Sequence, residues 1–273
     1  MNDAIRDMHE AALARAVEAN LTAFHAGLSE WPEVRLHRDD DRIWTVSRRR
    51  FSLCNVVLEG RFDPAEVDAQ IERALAPYLA LNVNVMWKLG PSTLPANLGD
   101  RLPAHGFLLR PTFRGIALDL TSLGPAPDAV PGLVIREVTG SATLDSWRRT
   151  VDRGFGWPSY ATEDLIDNLG YFFTAGRERP FVGYLGVIGR EPVASSLVFF
   201  GAGVAGIYHV STVPEHRRRG VGAVITRAPL VEASRRGYRV AILHATADGY
   251  PVYRRLGFEE VCAIGMRLRL SEP

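Results

Sequence analysis

The sequence has little of what would tie the protein to a metal, a disulfide framework or a membrane. Its 273 residues include only two cysteines, Cys54 and Cys262, with no CxxC and no Cys/His spacing typical of a zinc site. No apolar run approaches the roughly 20 residues needed to cross a bilayer, and the first ten residues lack the apolar core of a signal peptide. We therefore expect a cytoplasmic protein without metal or membrane contact, with both cysteines in the core.

An excess of one charge is also missing. The 32 basic and 31 acidic side chains give a net charge of +1, and Lys88 is the only lysine. Domains that bind nucleic acid usually carry a strongly basic face, so we do not expect DNA or RNA as a partner. The chain is 47% hydrophobic, which together with its length is typical of a globular protein with a large core.

A segment rich in proline and glycine, residues 118–133, interrupts the periodic pattern and is the best linker candidate. We predict two domains, residues 1–125 and 126–273. The first begins with an amphipathic helix over residues 2–28. The second has the order β α α β β β α β α β and closes with a hairpin of residues 258–263 and 266–270. Antiparallel hairpins combined with one strand-helix-strand crossover predict an α+β, or mixed α/β, fold.

The segment from Val210 to Gly222 carries the strongest chemical signal. A β-branched strand breaks at Pro214 and enters a helix at Gly220 and Gly222, where missing Cβ atoms let successive N–H groups face one anion. A helix N-terminus also binds phosphate through its unpaired N–H groups and partial positive charge. Three consecutive side chains add charge: Arg217, Arg218 and Arg219. The segment favours a diphosphate site; the alternative is a strand-to-helix turn with solvated arginines.

Two motifs here resemble those of the GCN5-related N-acetyltransferase (GNAT) family. The run Arg217-x-x-Gly220-x-Gly222 is similar to the family's acetyl-CoA pyrophosphate motif, and Tyr253-Arg-Arg-Leu-Gly-Phe258 is similar to its closing Tyr-x-x-x-Gly-Phe. The resemblance implies a mostly antiparallel central sheet flanked by helices. In that fold the strand at 206–213 splays from the strand at 239–244 and leaves a wedge for the pantetheine arm. Residues 1–125 resemble, more loosely, a degenerate tandem copy without a phosphate loop.

The resemblance implies acetyl-CoA as cosubstrate, with no metal, and assigns its contacts. The main chain expected along the pantetheine arm is that of Val210, Ser211 and Thr212. The residues expected around the pyrophosphate are Arg217, Arg218, Arg219, Gly220, Val221, Gly222 and Ala223. One position departs from the family pattern, because Thr246 stands where relatives often have an asparagine that contacts the cofactor.

Acyl transfer from a thioester to an amine needs a proton for the departing thiolate. Tyr253 fits this role by its motif position, since a phenol can share its proton with the thiolate as the bond breaks. The alternative is a buried tyrosine that only packs against Leu256 and Phe258. A backbone N–H near Ser211 or Thr212 would stabilise the oxyanion.

The base is less clearly marked. His209 stands where many relatives carry an acidic residue, and an imidazole of ordinary pKa can accept a proton directly or through water. The alternatives are a water chain, Tyr208, or a residue of the segment from Trp157 to Asp167.

Together these residues predict an N-acetyltransferase that moves an acetyl group from acetyl-CoA to an amine of a small molecule or peptide by direct attack on the thioester. The alternative is a non-catalytic acyl-CoA-binding or interaction module with the same fold. A homodimer is compatible with the sequence, which does not specify the assembly.

Overall fold

The computed structural model describes residues 5–49, 52–157 and 180–272. The helices are α1 (Glu10–Gly27), α2 (Val67–Leu81), α3 (Leu98–Arg101), α4 (Ser141–Phe155), α5 (Val221–Arg235) and α6 (Tyr250–Arg255). The strands are β1 (Val34–Arg38), β2 (Arg42–Ser47), β3 (Val56–Gly60), β4 (Val85–Leu89), β5 (Leu108–Asp119), β6 (Leu133–Glu137), β7 (Phe181–Ile188), β8 (Glu191–Gly201), β9 (Val204–Thr212), β10 (Val240–Ala245) and β11 (Glu259–Arg269). This mixture confirms the predicted α+β class.

The chain divides into two compact units, each built from discontinuous segments. The first unit comprises Met1–Asn20 and Gly115–Val261, and the second comprises Leu21–Arg114 and Cys262–Pro273. The first 20 residues thus belong with the later part of the chain. The predicted division of the chain into two tandem domains, residues 1–125 and 126–273, stays a prediction. The two compact units group residues by their contacts in space and do not test it.

In the first unit, which contains residues 115–119 of β5, the strands follow the order β5-β10-β9-β8-β7-β6. Strands β6 to β9 pair antiparallel in sequence order, whereas β9 and β10 pair parallel. A parallel pair needs a crossover, and α5 supplies it. The two neighbouring residues Ser195 and Ser196 show that helices cover both faces: Ser195 lies on the α4 side, whereas the hydroxyl of Ser196 donates to Ile225 O of α5 (2.9 Å).

In the second unit the strand order is β1-β2-β3-β4-β11, with β3 and β4 parallel and α2 between them in the chain. Pairing of these two strands covers only Val56 with Met86 and Val57 with Trp87. Beyond that point the chain folds back, so that Leu94 N donates to Gly60 O (3.0 Å) and Leu94 O accepts from Phe62 N (2.8 Å). The end of β3 is therefore paired with the segment that follows β4.

Two sequence-based predictions fail where tertiary pairing overrides local propensity. The predicted closing hairpin is wrong, because β11 is one continuous strand and Gly265, at the predicted turn, pairs with Leu89 of β4. The N-terminal helix begins at Glu10, after residues 5–9, which were predicted to be helical and are not, because Ile5 N donates to Gly203 O (3.0 Å). The helix predicted at 162–173 lies outside the described residues.

Among the residues that the structure describes, no helix is long and apolar enough to cross a membrane.

Candidate functional site

Strands β9 and β10 separate partway along their length. Their parallel pairing joins residues 205–207 to residues 241–243. Beyond Ile207, β9 continues to Thr212 with β8 as its partner, while β10 ends at Ala245. The edge of β9 that faces β10 therefore leaves the ladder at Tyr208, as the resemblance implies for a pantetheine wedge.

A β-bulge lies on β9 where the strands part. His209 has a positive φ of 49°, and the register between β8 and β9 shifts beside it. Ser195 Oγ donates to the carbonyl oxygen of His209 (2.9 Å), and Ser211 Oγ lies 2.8 Å from Ser195 Oγ and 3.2 Å from the carbonyl oxygen of Thr150 in α4. Both serines are buried. This hydroxyl network holds an unusual backbone conformation, and sequence reasoning missed Ser195.

Gly154 lets α4 approach the bulge closely. A Cβ atom at this position would lie 2.4 Å from Ser211 Oγ and 2.5 Å from Ser211 Cβ. Because Ser211 Cβ is attached to the paired backbone of β9, we expect Gly154→Ala to force α4 outward and destabilise the fold by about 2 kcal/mol or more. Thermal unfolding should show Tm lowered by roughly 5 °C.

Gly124→Ala is the matched control for this substitution, because a Cβ there meets nothing within 4 Å. A Gly154→Ala protein that unfolds at the same temperature as the Gly124→Ala protein would contradict the close packing.

The loop between β9 and α5 forms a row of backbone donors. Arg218 and Gly220 have positive φ values of 58° and 82°, and such alternation of backbone conformation turns successive N–H groups inward. The N–H groups of residues 216, 217, 223 and 224 donate to backbone carbonyls. Those of residues 218–222 have no acceptor among the described residues. The five donors at the start of α5 fit a bound diphosphate.

The three arginines of this loop differ in their surroundings. Arg217 Nε donates to Thr212 O (3.1 Å) and its Nη2 donates to Gly154 O (2.7 Å), so its guanidinium joins the end of β9 to the end of α4. Arg218 and Arg219 are exposed. Arg218 and Arg219 can therefore turn toward an anion bound at the loop, whereas Arg217 would first have to break its hydrogen bonds to Thr212 O and Gly154 O.

The other predicted cofactor residues contribute mainly backbone. Val210 and Val221 place their side chains in a buried cluster with Ile225. A Cβ atom at Gly222 would lie 3.8 Å from Thr212 Oγ1, which brings the first turn of α5 beside the end of β9. Ala223 is partly buried, and its N–H donates to Gly220 O (3.0 Å).

Tyr253 lies in α6 and is buried, with its ring edge-on to Phe258 at 6.1 Å. A Cβ at Gly249 would lie 2.9 Å from Tyr253 Cε2 and 3.4 Å from its hydroxyl oxygen, so the ring rests against this glycine. Burial raises the pKa of Tyr253 well above its usual value near 10, and the phenol remains protonated at neutral pH. The Thr246 hydroxyl accepts from Gly249 N (3.1 Å) and helps to shape the same turn.

The structure does not bring His209 and Tyr253 into contact. Tyr253 belongs to the core on the α5 side of the sheet. The ring of His209 instead lies edge-on to Trp147 of α4, with centroids 5.5 Å apart. Burial lowers the pKa of His209 to about 4, so its imidazole is neutral at pH 7. The alternative base Tyr208 donates its hydroxyl proton to Asn20 Oδ1 (2.8 Å), and burial raises its pKa well above 10.

The lowered pKa of His209 predicts a loss of stability in acid. The unfolded state takes up a proton near pH 6.5 and the folded state only near pH 4, so this contribution is complete above pH 6.5 and is lost as the pH falls toward 4. Between pH 7.5 and pH 5 the wild type should lose about 2 kcal/mol that a His209→Gln protein keeps. Denaturant titrations at both pH values measure this difference, and parallel losses would show that His209 titrates normally.

Two further rings mark the point where the strands separate. Tyr208 and His244 are the first residues beyond the last paired residues, and their ring centroids lie 5.8 Å apart. Asn20 of α1 contacts Tyr208. The only sequence signal for Asn20 is that it is a polar residue within the apolar stripe of the first helix. Of the alternative base segment, residues 158–167 lie outside the described residues.

Within the described part of the chain, no group of three His, Cys, Asp or Glu side chains is arranged to hold a metal ion.

The splayed sheet and the row of N–H donors define an acyl-CoA N-acyltransferase fold, and comparisons with known proteins agree. Residues 201–261 match the family model described as an acetyltransferase (GNAT) domain. An uncharacterized N-acetyltransferase of Streptomyces griseus subsp. griseus is 35% identical over 140 residues, covering 46% of this chain and 30% of the relative. The chain therefore spans under a third of the length of the curated relatives it matches.

Solved structures extend the likeness to the whole chain. A GCN5-related N-acetyltransferase from Kribbella flavida superposes with a TM-score of 0.71 at 20% identity, covering 95% of this chain and 96% of that one. A tandem GNAT protein from the clavulanic acid biosynthesis pathway gives a TM-score of 0.57 at 16% identity, covering 89% and 85%. At these low identities the structures show the fold alone. Residues 201–261 are therefore similar to an acetyltransferase (GNAT) domain, and the chain shares the fold of solved GNAT structures.

Proposed function

We propose that this protein is an N-acetyltransferase that transfers an acetyl group from acetyl-CoA to an amine. The observation that carries the proposal is the row of N–H groups at residues 218–222, which have no acceptor among the described residues and lie at the mouth of the splayed strands. A diphosphate is the anion that such a row at a helix N-terminus binds well. The exposed Arg218 and Arg219 side chains add positive charge there.

The extended pantetheine arm would lie along the open edge of β9. The backbone of Val210, Ser211 and Thr212 would bind it, because this segment has β8 on one side and leaves its β10 side outside the ladder. The thioester would then lie near the bulge at His209. A strained backbone held by buried hydroxyl groups is suited to present a fixed N–H to an oxyanion.

The chemistry needs two proton transfers. The neutral amine nitrogen attacks the thioester carbon, the tetrahedral intermediate collapses, and the C–S bond breaks. The thiolate takes its proton from Tyr253, whose raised pKa keeps it protonated, and solvent restores that proton. The ammonium proton formed by the attack passes to His209 or, through water, to solvent. Burial lowers the pKa of His209 to about 4, so its imidazole is neutral at pH 7 but is a weak base, and water is the better acceptor of this proton.

The acceptor class is an amine of a small molecule or a peptide. The whole-protein substrate, a homodimeric assembly and a cytoplasmic location stay predictions.

Calorimetry with acetyl-CoA and a thiol-release assay over a panel of amines test this function together. We expect heat of binding and amine-dependent release of CoA thiol. Binding without thiol release for any amine would favour the non-catalytic acyl-CoA-binding alternative. If no heat of binding is found, both functions are wrong.

A further inference from the structure

Asn20 is a polar side chain buried completely inside the first unit. Its Nδ2 donates to Gly201 O (2.8 Å) and to Val204 O (3.4 Å), and its Oδ1 accepts from the Tyr208 hydroxyl (2.8 Å). Because both carbonyl oxygens need a donor, the orientation of the amide is fixed, and its oxygen must be the atom that faces Tyr208. Through Asn20, helix α1 is hydrogen-bonded both to the first residue of β9, Val204, and to the hydroxyl group of Tyr208.

Gly206 shows which way that tyrosine points. A Cβ atom at Gly206 would lie 2.0 Å from Asn20 Oδ1 and 2.6 Å from Tyr208 Cε2. The ring of Tyr208 therefore lies back over the backbone of its own strand, toward the start of β9. It points away from residues 209–212, where the thioester is expected.

Tyr208 lies at the point where β9 and β10 separate, so the orientation of its ring affects the space beside the expected thioester. It is the first residue of β9 beyond the paired Ile207, whose side chain belongs to the core on the α5 side. Tyr208 therefore faces the opposite side of the sheet, where its ring is also near His244. A tyrosine side chain has few staggered alternatives, and a change of χ1 would move the ring off Gly206 toward the bulge at His209.

We propose that Asn20 is a positioning residue for acetyl transfer, which holds the Tyr208 ring over Gly206 so that the acceptor amine can reach the thioester. The inference rests on the proposed function. It extends that function to a residue nearly 200 positions before the phosphate loop, which lies near the site because residues up to Asn20 group with the later segment of the chain. Asn20 touches neither cosubstrate, so its effect should appear in acceptor kinetics and not in donor affinity.

Steady-state kinetics of three variants test the proposal. Asn20→Ala removes all three hydrogen bonds of the amide, and Tyr208→Phe removes only the bond between Tyr208 and Asn20. We expect KM for the acceptor amine to rise about tenfold and about fivefold, because both variants release the Tyr208 ring. The dissociation constant of acetyl-CoA should stay within twofold. Asn55→Ala is the matched control. Asn55 is also fully buried, accepts from Ser47 N (2.7 Å) and donates to Arg49 O (2.6 Å), but lies in the second unit.

An NMR readout separates this inference from the proposed function. Tyr208 lies beside His244, so release of the ring should shift the His244 imidazole resonances in Asn20→Ala protein and leave them unchanged in Asn55→Ala protein. Unchanged resonances, or an unchanged acceptor KM in Tyr208→Phe protein, would overturn the positioning role. If wild-type protein transfers no acetyl group, the proposed function fails, and the resonances still decide whether Asn20 holds the ring. If Asn20→Ala does not fold, the Tyr208→Phe variant decides alone.

Discussion

Replacement of Tyr253 by phenylalanine should lower kcat about 100-fold while the affinity for acetyl-CoA stays within twofold. A positioned general acid contributes roughly 100-fold to 10,000-fold, and the phenylalanine ring preserves the packing against Phe258 and Gly249. The burial that raises the pKa of Tyr253 keeps its proton in place over the working pH range. Thiol release under saturating acetyl-CoA measures kcat, and calorimetry measures the affinity.

Tyr238→Phe is the matched control, because Tyr238 is also a buried tyrosine of the same core cluster. It should keep wild-type kcat. A Tyr253→Phe protein that retains more than a third of wild-type kcat would assign the proton donor to another group, and Tyr253 would then be a packing residue.

Replacement of Gly222 by valine should weaken acetyl-CoA binding about 100-fold with little change in the stability of the free protein. A Cβ at Gly222 would lie 3.8 Å from its nearest neighbour, Thr212 Oγ1, so the free fold has room for a side chain. The branched side chain would, however, occupy the space between the first turn of α5 and the end of β9, where the diphosphate is expected. Loss of two hydrogen bonds to a charged group, each worth roughly 1.5 kcal/mol, corresponds to this fold-change.

Calorimetric titration of Gly222→Val beside Gly124→Val checks this expectation, because Gly124 also has open space around it. Both proteins should unfold near the wild-type Tm, and only the first should lose affinity. Equal affinities would falsify the location of the diphosphate beside Gly222.

The backbone geometry of the loop before α5 was predictable because it is local in the sequence. The N–H groups of residues 218–222, which have no acceptor among the described residues, belong to one loop and one helix start, and the glycines at 220 and 222 indicate such a turn in the sequence. The parting of β9 from β10 followed from the family fold that the motifs imply. The prediction for Tyr253 is local in the same way, since its motif lies within six consecutive residues.

What the sequence could not reveal depends on contacts between distant segments. Ser195 braces the bulge across a strand pair, Gly154 matters only because α4 lies on Ser211, and Asn20 acts 188 positions away from Tyr208. The His209 pKa depended likewise on burial beside Trp147, which no spacing rule predicts. The final hairpin was mispredicted because Gly265, a turn residue by local preference, is held straight by its partner on β4.

The backbone pairing of Leu94 with the end of β3, in the second unit, bears on how many acetyl-CoA molecules one chain can bind. Gly60 and Phe62, at the point where β3 leaves β4, already bond to the main chain of Leu94. A pantetheine arm could bind to this edge of β3 only if the segment around Leu94 were displaced. That displacement would break two hydrogen bonds before the arm formed any. Titration to saturation should accordingly give a stoichiometry of one coenzyme thioester per chain.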